Sequence, residues 1–441
     1  MKLDSGNTAW MMAATALVLL MTPGLAFFYG GMVRSKNVLA MLMQNFVCMG
    51  IVSVLWVIDL FSLAFGPDKL HGFIGNPATH VGLKTGTDLF VAGVPTAVIA
   101  TFQITFAIIT AALITGATAD RLRFGPFVLF VSVWSVLVYA PIAHWVWGGG
   151  LLAQFHSVRD STGAITKLGI EDFAGGTVVH INAGIAGLAL TLVLGKRIGW
   201  PKERMRPHNV PYVMLGAGLL WFGWLGFNAG SELASDSTAG IALVNSVVAT
   251  AAAMLTWLIV EKIRDGHSTG LGAASGLVAG LVAITPASGY VTPMGAIWIG
   301  AAAGAVCALA VAIKFKFGFD DSLDVVAVHL VGGILGALSI GFFGQDAVNS
   351  FGRDGLFYGG GLGQLGRQFV GVGVVLGYSF VVTFLIAKVI DITWGLRVSR
   401  DVELEGLDIN LHAESAYDTG GAASHTSTSG TLASASEKVS S

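Results

Sequence analysis

Eleven long apolar stretches follow one another along the chain, at roughly 8–31, 40–66, 91–118, 125–147, 173–195, 210–230, 238–262, 270–286, 292–315, 325–344 and 368–393. A helix crosses the hydrocarbon layer, about 30 Å thick, with about 20 mostly apolar residues. In lipid the backbone must satisfy its own hydrogen bonds, so such runs fold as helices. Only 11% of the residues are charged, against about 25% in a soluble domain. The expectation is an all-α integral membrane protein with eleven transmembrane helices. The first run is long enough to span, so it reads as a helix and not as a removed leader. Among the 60 glycines, pairs such as Gly184/Gly187 and Gly300/Gly304 let neighbouring helices approach closely. A net charge of −2 argues against a nucleic-acid partner. Cys48 and Cys307 lie in separate apolar runs, which implies neither a disulfide framework nor a metal motif.

Loop charge sets the expected orientation, because cytoplasmic loops carry the excess of Lys and Arg. One set of alternate loops holds Arg34, Lys36, Arg121, Arg123, Lys196, Arg197, Lys202, Arg204, Arg206, Lys262, Arg264, Lys314 and Lys316. The other set, with the N-terminus, holds only Lys2, Lys69, Lys84, Arg159, Lys167, Arg353 and Arg367. The N-terminus is therefore expected outside and the C-terminus inside.

Two stretches then stand out: DFAGGTVVHINAGIAG at 172–187 and DSLDVVAVHLVGGILG at 321–336. Aligned without gaps, they share the opening Asp, a Val–His pair, a Gly–Ile pair and a final Gly. Ionisable residues in membrane segments mark pathways or sites. Each histidine, His180 or His329, follows its aspartate by eight residues, about 12 Å of helix. The fifth helix enters from outside and the tenth from inside, so both histidines reach the middle of the bilayer. Five helices plus five of opposite topology form an inverted repeat, which places its site near the midplane between the halves. An eleventh helix follows. Asp172 and Asp321 read as helix N-caps, a role worth about 1 kcal/mol. Asp324, further along, is placed to brace the inner mouth, and Glu171 is expected to be solvated. Residues 1–396 form the transmembrane domain: helices 1–5 over about 8–195, helices 6–10 over about 210–344, and helix 11 over about 368–393. Residues 397–417 read as a cytoplasmic regulatory segment, and 418–441 as a disordered Ser/Thr-rich tail.

The chain resembles the Amt/MEP ammonium transporters, in their bacterial Amt branch, over about residues 8 to 417. The resemblance rests on PGLAFFYGGMVRSKNVLAMLMQN (23–45), FQITFAIIT (102–110), YAPIAHWVWGGGLL (139–152), DFAGGTVVHINA (172–183), GWLGFNAGS (223–231), VNSVVATAAA (244–253), DDSLDVVAVH (320–329) and EGLD…HAESAY (405–417). It implies a homotrimer in the cell (inner) membrane, with a narrow hydrophobic pore in each subunit. An outer vestibule that recruits ammonium matches Phe102, Phe106, Trp147 and Ser231. A stacked phenyl pair beneath it matches Phe106 and Phe227, and the pore histidines match His180 and His329. Asp172 orders the vestibule backbone. Trp224 belongs with Asp172, Asp321 and Asp324 among the residues that shape the path. The tail couples subunits, and a PII-family regulatory protein at the cytoplasmic face is an implied partner beside ammonium, ammonia and membrane lipids. No cofactor, metal or enzymatic activity is implied.

The chemistry of these residue types agrees. An aromatic face attracts a partly dehydrated cation by about 0.5–2 kcal/mol, and a serine hydroxyl can accept from ammonium. Imidazole both donates and accepts near neutral pH. A bare cation meets a large desolvation cost in a dry lumen, whereas neutral ammonia does not. Two other readings stay open: an ammonium sensor signalling through the tail, and a membrane protein with His-ligated haem. One residue departs from the family pattern. The run before SLAFG reads IDLF, which places Asp59 deep in the second helix with no role in this scheme.

Overall fold

Helices form where the apolar runs stand. The computed structural model describes residues 2–153, 168–203 and 205–417; the segment expected to be a disordered tail lies outside the described residues. Ten helices among these are long and apolar enough to cross a membrane: α1 (Ser5–Met32), α2 (Ser35–Phe65), α3 (Thr96–Thr118), α4 (Phe124–Val146), α5 (Gly176–Leu194), α6 (Val210–Gly230), α7 (Ser237–Asp265), α9 (Pro293–Phe317), α10 (Val326–Phe343) and α11 (Gly363–Thr393). Between α7 and α9 lies α8 (Gly270–Ile284), apolar but only 15 residues long. Its spacing predicts a span over 270–286, yet at 1.5 Å per residue it covers about 22 Å. Pro286 cannot continue a helix, and the chain leaves α8 through a turn. That turn is buried, from Thr285 to Val291. Non-helical backbone at such a depth is tolerated where protein, not lipid, surrounds it. The turn is also bonded, since the Phe173 amide donates to the Pro286 carbonyl.

α1 packs along α6, and α5 meets α10. α2 packs on α3 and α4, while α7 packs on α8 and α9. α11 lies against α5, α10 and α4. α5 and α10 cross at close range. A Cβ added at Gly184 would stand 2.5 Å from the Leu330 backbone nitrogen, and one at Gly333 would stand 3.0 Å from the Ile181 side chain. In the alignment of the two Asp–His stretches Gly184 matches Gly333 and Ile181 matches Leu330, so the contact is reciprocal. Four spans contain a widened π-helical turn: Trp56–Leu60 in α2, Ser135–Tyr139 in α4, Gly176–Ile181 in α5 and Val326–Val331 in α10. Such turns are rare and concentrate at functional places.

At one end of the bundle the segment after α11 folds back over the loops rich in arginine and lysine. The Val398 amide donates to the Arg121 carbonyl, and the Arg123 amide to that of Leu396. α12 (Arg400–Glu405) follows. Glu403 accepts from the Ile198 amide at 2.7 Å and pairs with Arg397 at 2.8 Å. The Asp408 carboxylate accepts from the Leu39 and Ala40 amides at 3.0 and 2.8 Å, capping the start of α2. Tyr417 meets His208 Nε2 at 2.9 Å. At the other end, β1 (Asp68–Lys69) pairs antiparallel with β2 (Ile74–Gly75).

Candidate functional site

Eight of the residues singled out in the sequence line one column through the bundle. At its top, α3 presents Phe102 and Phe106 from successive turns, with ring centroids 4.8 Å apart. Trp147, just past the end of α4, stands edge-on to Phe106 at 5.8 Å. Its indole Nε1–H donates to the Asp172 carbonyl at 3.0 Å, which fixes the ring. Ser231, just past α6, donates its hydroxyl proton to the Phe227 carbonyl at 2.8 Å. Its oxygen lone pairs remain to accept a further hydrogen bond. Phe227 lies one turn below Ser231 and stacks on Phe106, with centroids 4.1 Å apart and planes at 22°. Both rings are buried.

Beneath the stacked pair, Trp224 lies flat against His180 at 5.3 Å and 20°. Trp224 is held by Thr285, whose hydroxyl accepts the indole N–H at 2.8 Å. His180 then faces His329, Nδ1 to Nδ1, at 3.3 Å, with the rings nearly parallel at 19°. Two imidazoles sharing one hydrogen between their Nδ1 atoms must be opposite tautomers if neutral. One then turns a donor Nε2–H away from the pair and the other an acceptor Nε2. His180 Nε2 is buried and has no hydrogen-bond partner among the described residues. His329 borders the next space, a cavity of about 370 Å³ whose walls include Tyr29, Ser322, Lys314, Asp324 and Val328.

The aspartates sit before the helices, not in them: α5 begins at Gly176 and α10 at Val326. The buried Asp172 carboxylate accepts from the amides of Gly175, Gly176, Thr177 and Val178 at 2.9, 2.6, 2.9 and 3.1 Å. These are amides that a helix start leaves without partners. Asp321 does the same for Val325 and Val326 at 3.1 and 2.7 Å, the positions that match Gly176 and Thr177. Asp324 is ion-paired with Lys314 at 2.7 Å on the wall of that cavity.

Glu171 differs from expectation: it is fully buried, not solvated. Its backbone is clamped by Gln368, which accepts from the Glu171 amide and donates to its carbonyl. Burial pushes the carboxyl up to about 8, against the pull of Arg353 at 3.7 Å. Glu232, beside Ser231, is likewise raised by burial to about 7, with Asp236 adding to the shift. Sequence reasoning also passed over Thr285. Its only trace was a Thr–Pro break in the apolar run of α8.

Comparison with known proteins gives a consistent result. The model of the Ammonium Transporter Family matches residues 9–417. An ammonium transporter of Mycobacterium tuberculosis strain H37Rv is 52% identical over 437 residues, covering 94% of this chain and 91% of that one. An ammonium transporter of Bacillus subtilis strain 168 is 45% identical over 418 residues, covering 94% and 99%. Among solved structures, a Sensor Amt Protein superposes with a TM-score of 0.82 at 32% identity, over 92% of this chain and 98% of that one. Saccharomyces cerevisiae Mep2 superposes at 0.78 with 33% identity, over 90% and 91%.

Proposed function

The chain belongs to the ammonium transporter family, and from that premise we propose how it carries its substrate. Ammonium docks among Phe102, Phe106, Trp147 and Ser231, where ring faces and one hydroxyl replace part of its water shell. The Phe106–Phe227 stack excludes a hydrated cation. Ammonium releases one proton on the outer side, and ammonia passes the rings, slides along His180 and His329, and takes up a proton again beyond the inner cavity. The released proton either stays outside or follows along the histidine pair. Opposite tautomers give ammonia, which both donates and accepts, one partner of each kind. The observation that carries this reading is the 3.3 Å histidine pair directly beneath two stacked, buried phenyl rings.

We read α1–α5 and α6–α10 as an inverted repeat, with α8 as the shortened eighth crossing and α11 added. The reciprocal contact of Gly184 and Gly333 supports this. The N-terminus lies outside and the tail inside, in keeping with the basic loops collected under the tail. The chain works as a trimer in the cell membrane, and residues 397–417 hold the inner loops, where a PII-family protein could bind. A second reading, ammonium sensing through that tail, draws support from the likeness to a Sensor Amt Protein and from the docking of Glu403 and Asp408. Solid-supported-membrane electrophysiology on purified protein separates these. A current with ammonium and none with potassium supports charge-coupled transport. Equal currents with both overturn the selectivity assigned to the vestibule. Where no current arises, ammonium-driven pH change in liposomes tests for ammonia passage without its proton; no such change overturns transport.

A further inference from the structure

The cavity that His329 borders carries one alkyl ammonium on its wall, Lys314. Lys314 stands in the last turn of α9. Its Nζ contacts Asp324 Oδ1 at 2.7 Å and donates to the Asp321 carbonyl at 3.0 Å. The Asp321 carboxylate caps α10, so the lysine is tied to the start of the helix that bears His329. An ammonium group has three N–H donors. These contacts place two of them, and no third hydrogen-bond partner of Nζ occurs among the described residues. Asp324 has a left-handed backbone, with φ at 61°. A residue with a Cβ adopts that conformation at a cost, and such strain concentrates at functional places. Other groups on the wall are poor sources of a proton. The Arg197 and Arg206 guanidiniums keep theirs, while the Tyr29 and Ser322 hydroxyls donate to the Leu113 and Ala119 carbonyls.

We infer that Lys314 hands a proton to ammonia arriving past His329, and that Asp324 holds the ammonium so formed. The Nζ–H bond breaks and leaves its electron pair on Nζ, while the ammonia lone pair forms the new N–H bond. Lys314 is then a neutral amine, and the ammonium takes its place as the cation beside the Asp324 carboxylate. A charge formed inside the protein loses hydration, but here one cation replaces another next to the same anion, so the charge of the cavity does not change. An amine is among the groups that transfer protons in this way. The ammonium leaves to the cytosol, and water in the cavity returns a proton to Nζ. The inference rests on the transport reading above and brings its last step forward from the cytosol to the cavity wall.

The test measures ammonium-driven flux of the full-length protein in liposomes. Lys314→Arg keeps a positive charge beside Asp324, but a guanidinium does not release its proton near neutral pH. Lys314→Arg and Lys314→Met should each lower flux about 100-fold, the lower end of what a placed proton donor contributes, with Lys314→Arg melting like the wild type. A Lys314→Cys variant gives a second reading within one folded protein, since the native Cys48 and Cys307 are buried. Alkylation with bromoethylamine restores a transferable proton and should restore flux. A trimethylammonioethyl adduct restores only the charge and should not. Flux regained in Lys314→Arg or with the trimethylammonioethyl adduct overturns the inference and leaves Lys314 a structural ion pair. Wild-type flux in Lys314→Met overturns it and leaves transport standing, whereas no ammonium-driven flux in the wild type overturns both.

Discussion

Replacing Asp172 by Ala tests the architecture of the site at its most heavily bonded residue. The carboxylate serves four backbone amides at 2.6–3.1 Å in a place without solvent. A buried donor left without an acceptor costs about 1–3 kcal/mol. Four such amides share two oxygens, and the turn can relax partway, so the expected loss is about 3–5 kcal/mol rather than the full sum. Asn keeps one acceptor oxygen but points an amide N–H at two donors, so about half that loss follows. Because the Asp172 carbonyl also holds Trp147, the loosened turn should displace the vestibule ring and lower ammonium flux in whatever protein still folds. Thermal unfolding of purified protein, followed by flux in liposomes, checks both parts. An Asp172→Ala protein that melts with the wild type and transports normally would show that the carboxylate does not hold this turn.

Trp147→Leu should weaken discrimination between ammonium and potassium, because a ring face worth about 0.5–2 kcal/mol to a cation is lost; unchanged discrimination in electrophysiology counts against the vestibule. Glu171 carries a pH prediction. Its carboxyl sits near 8 in the fold against an ordinary 4.5, so between those values the folded state keeps a proton that the unfolded chain has released. Its contribution to stability is therefore fully present below about 4.5, falls as pH rises to about 8 and is flat above. Glu171→Gln should remove that slope in melting curves from pH 5 to 9; an unchanged slope sinks the assignment. Asp408→Ala removes the acceptor for two amides at the start of α2 and should cost about 1–2 kcal/mol of tail docking. Faster hydrogen exchange over residues 400–417 is the expected sign, and unaltered exchange would contradict it.

Much of this architecture is legible in the chain itself, and the parts that are not have physical reasons. Apolar length alone locates the spans, because lipid leaves the backbone no choice but helix. The His180 and His329 stretches can be matched because aspartate, histidine and glycine recur at the same spacing. Periodicity does not reveal where α5 and α10 begin, since the first turns are wound by the Asp172 and Asp321 carboxylates and the aspartates stay outside them. It also hides the early end of α8, where the buried turn at Pro286 is stabilised by partners far away in sequence, such as Phe173. Glu171 reads as solvated because a carboxylate beside a helix start usually is. Only the packing of α11, with Gln368 gripping its backbone, shows that it is enclosed. The stacking of Phe106 on Phe227 joins α3 to α6, and no local pattern in either run announces it.

His180 and His329 together are proposed to form the conducting segment. Ammonium-driven flux measured in liposomes for wild type, His180→Ala, His329→Ala and the double variant addresses it directly. Each single change should abolish or alter flux and selectivity while the protein stays folded, and the double change should add little, since the two rings act as one pair. Wild-type flux and wild-type selectivity against potassium in either single variant would contradict it.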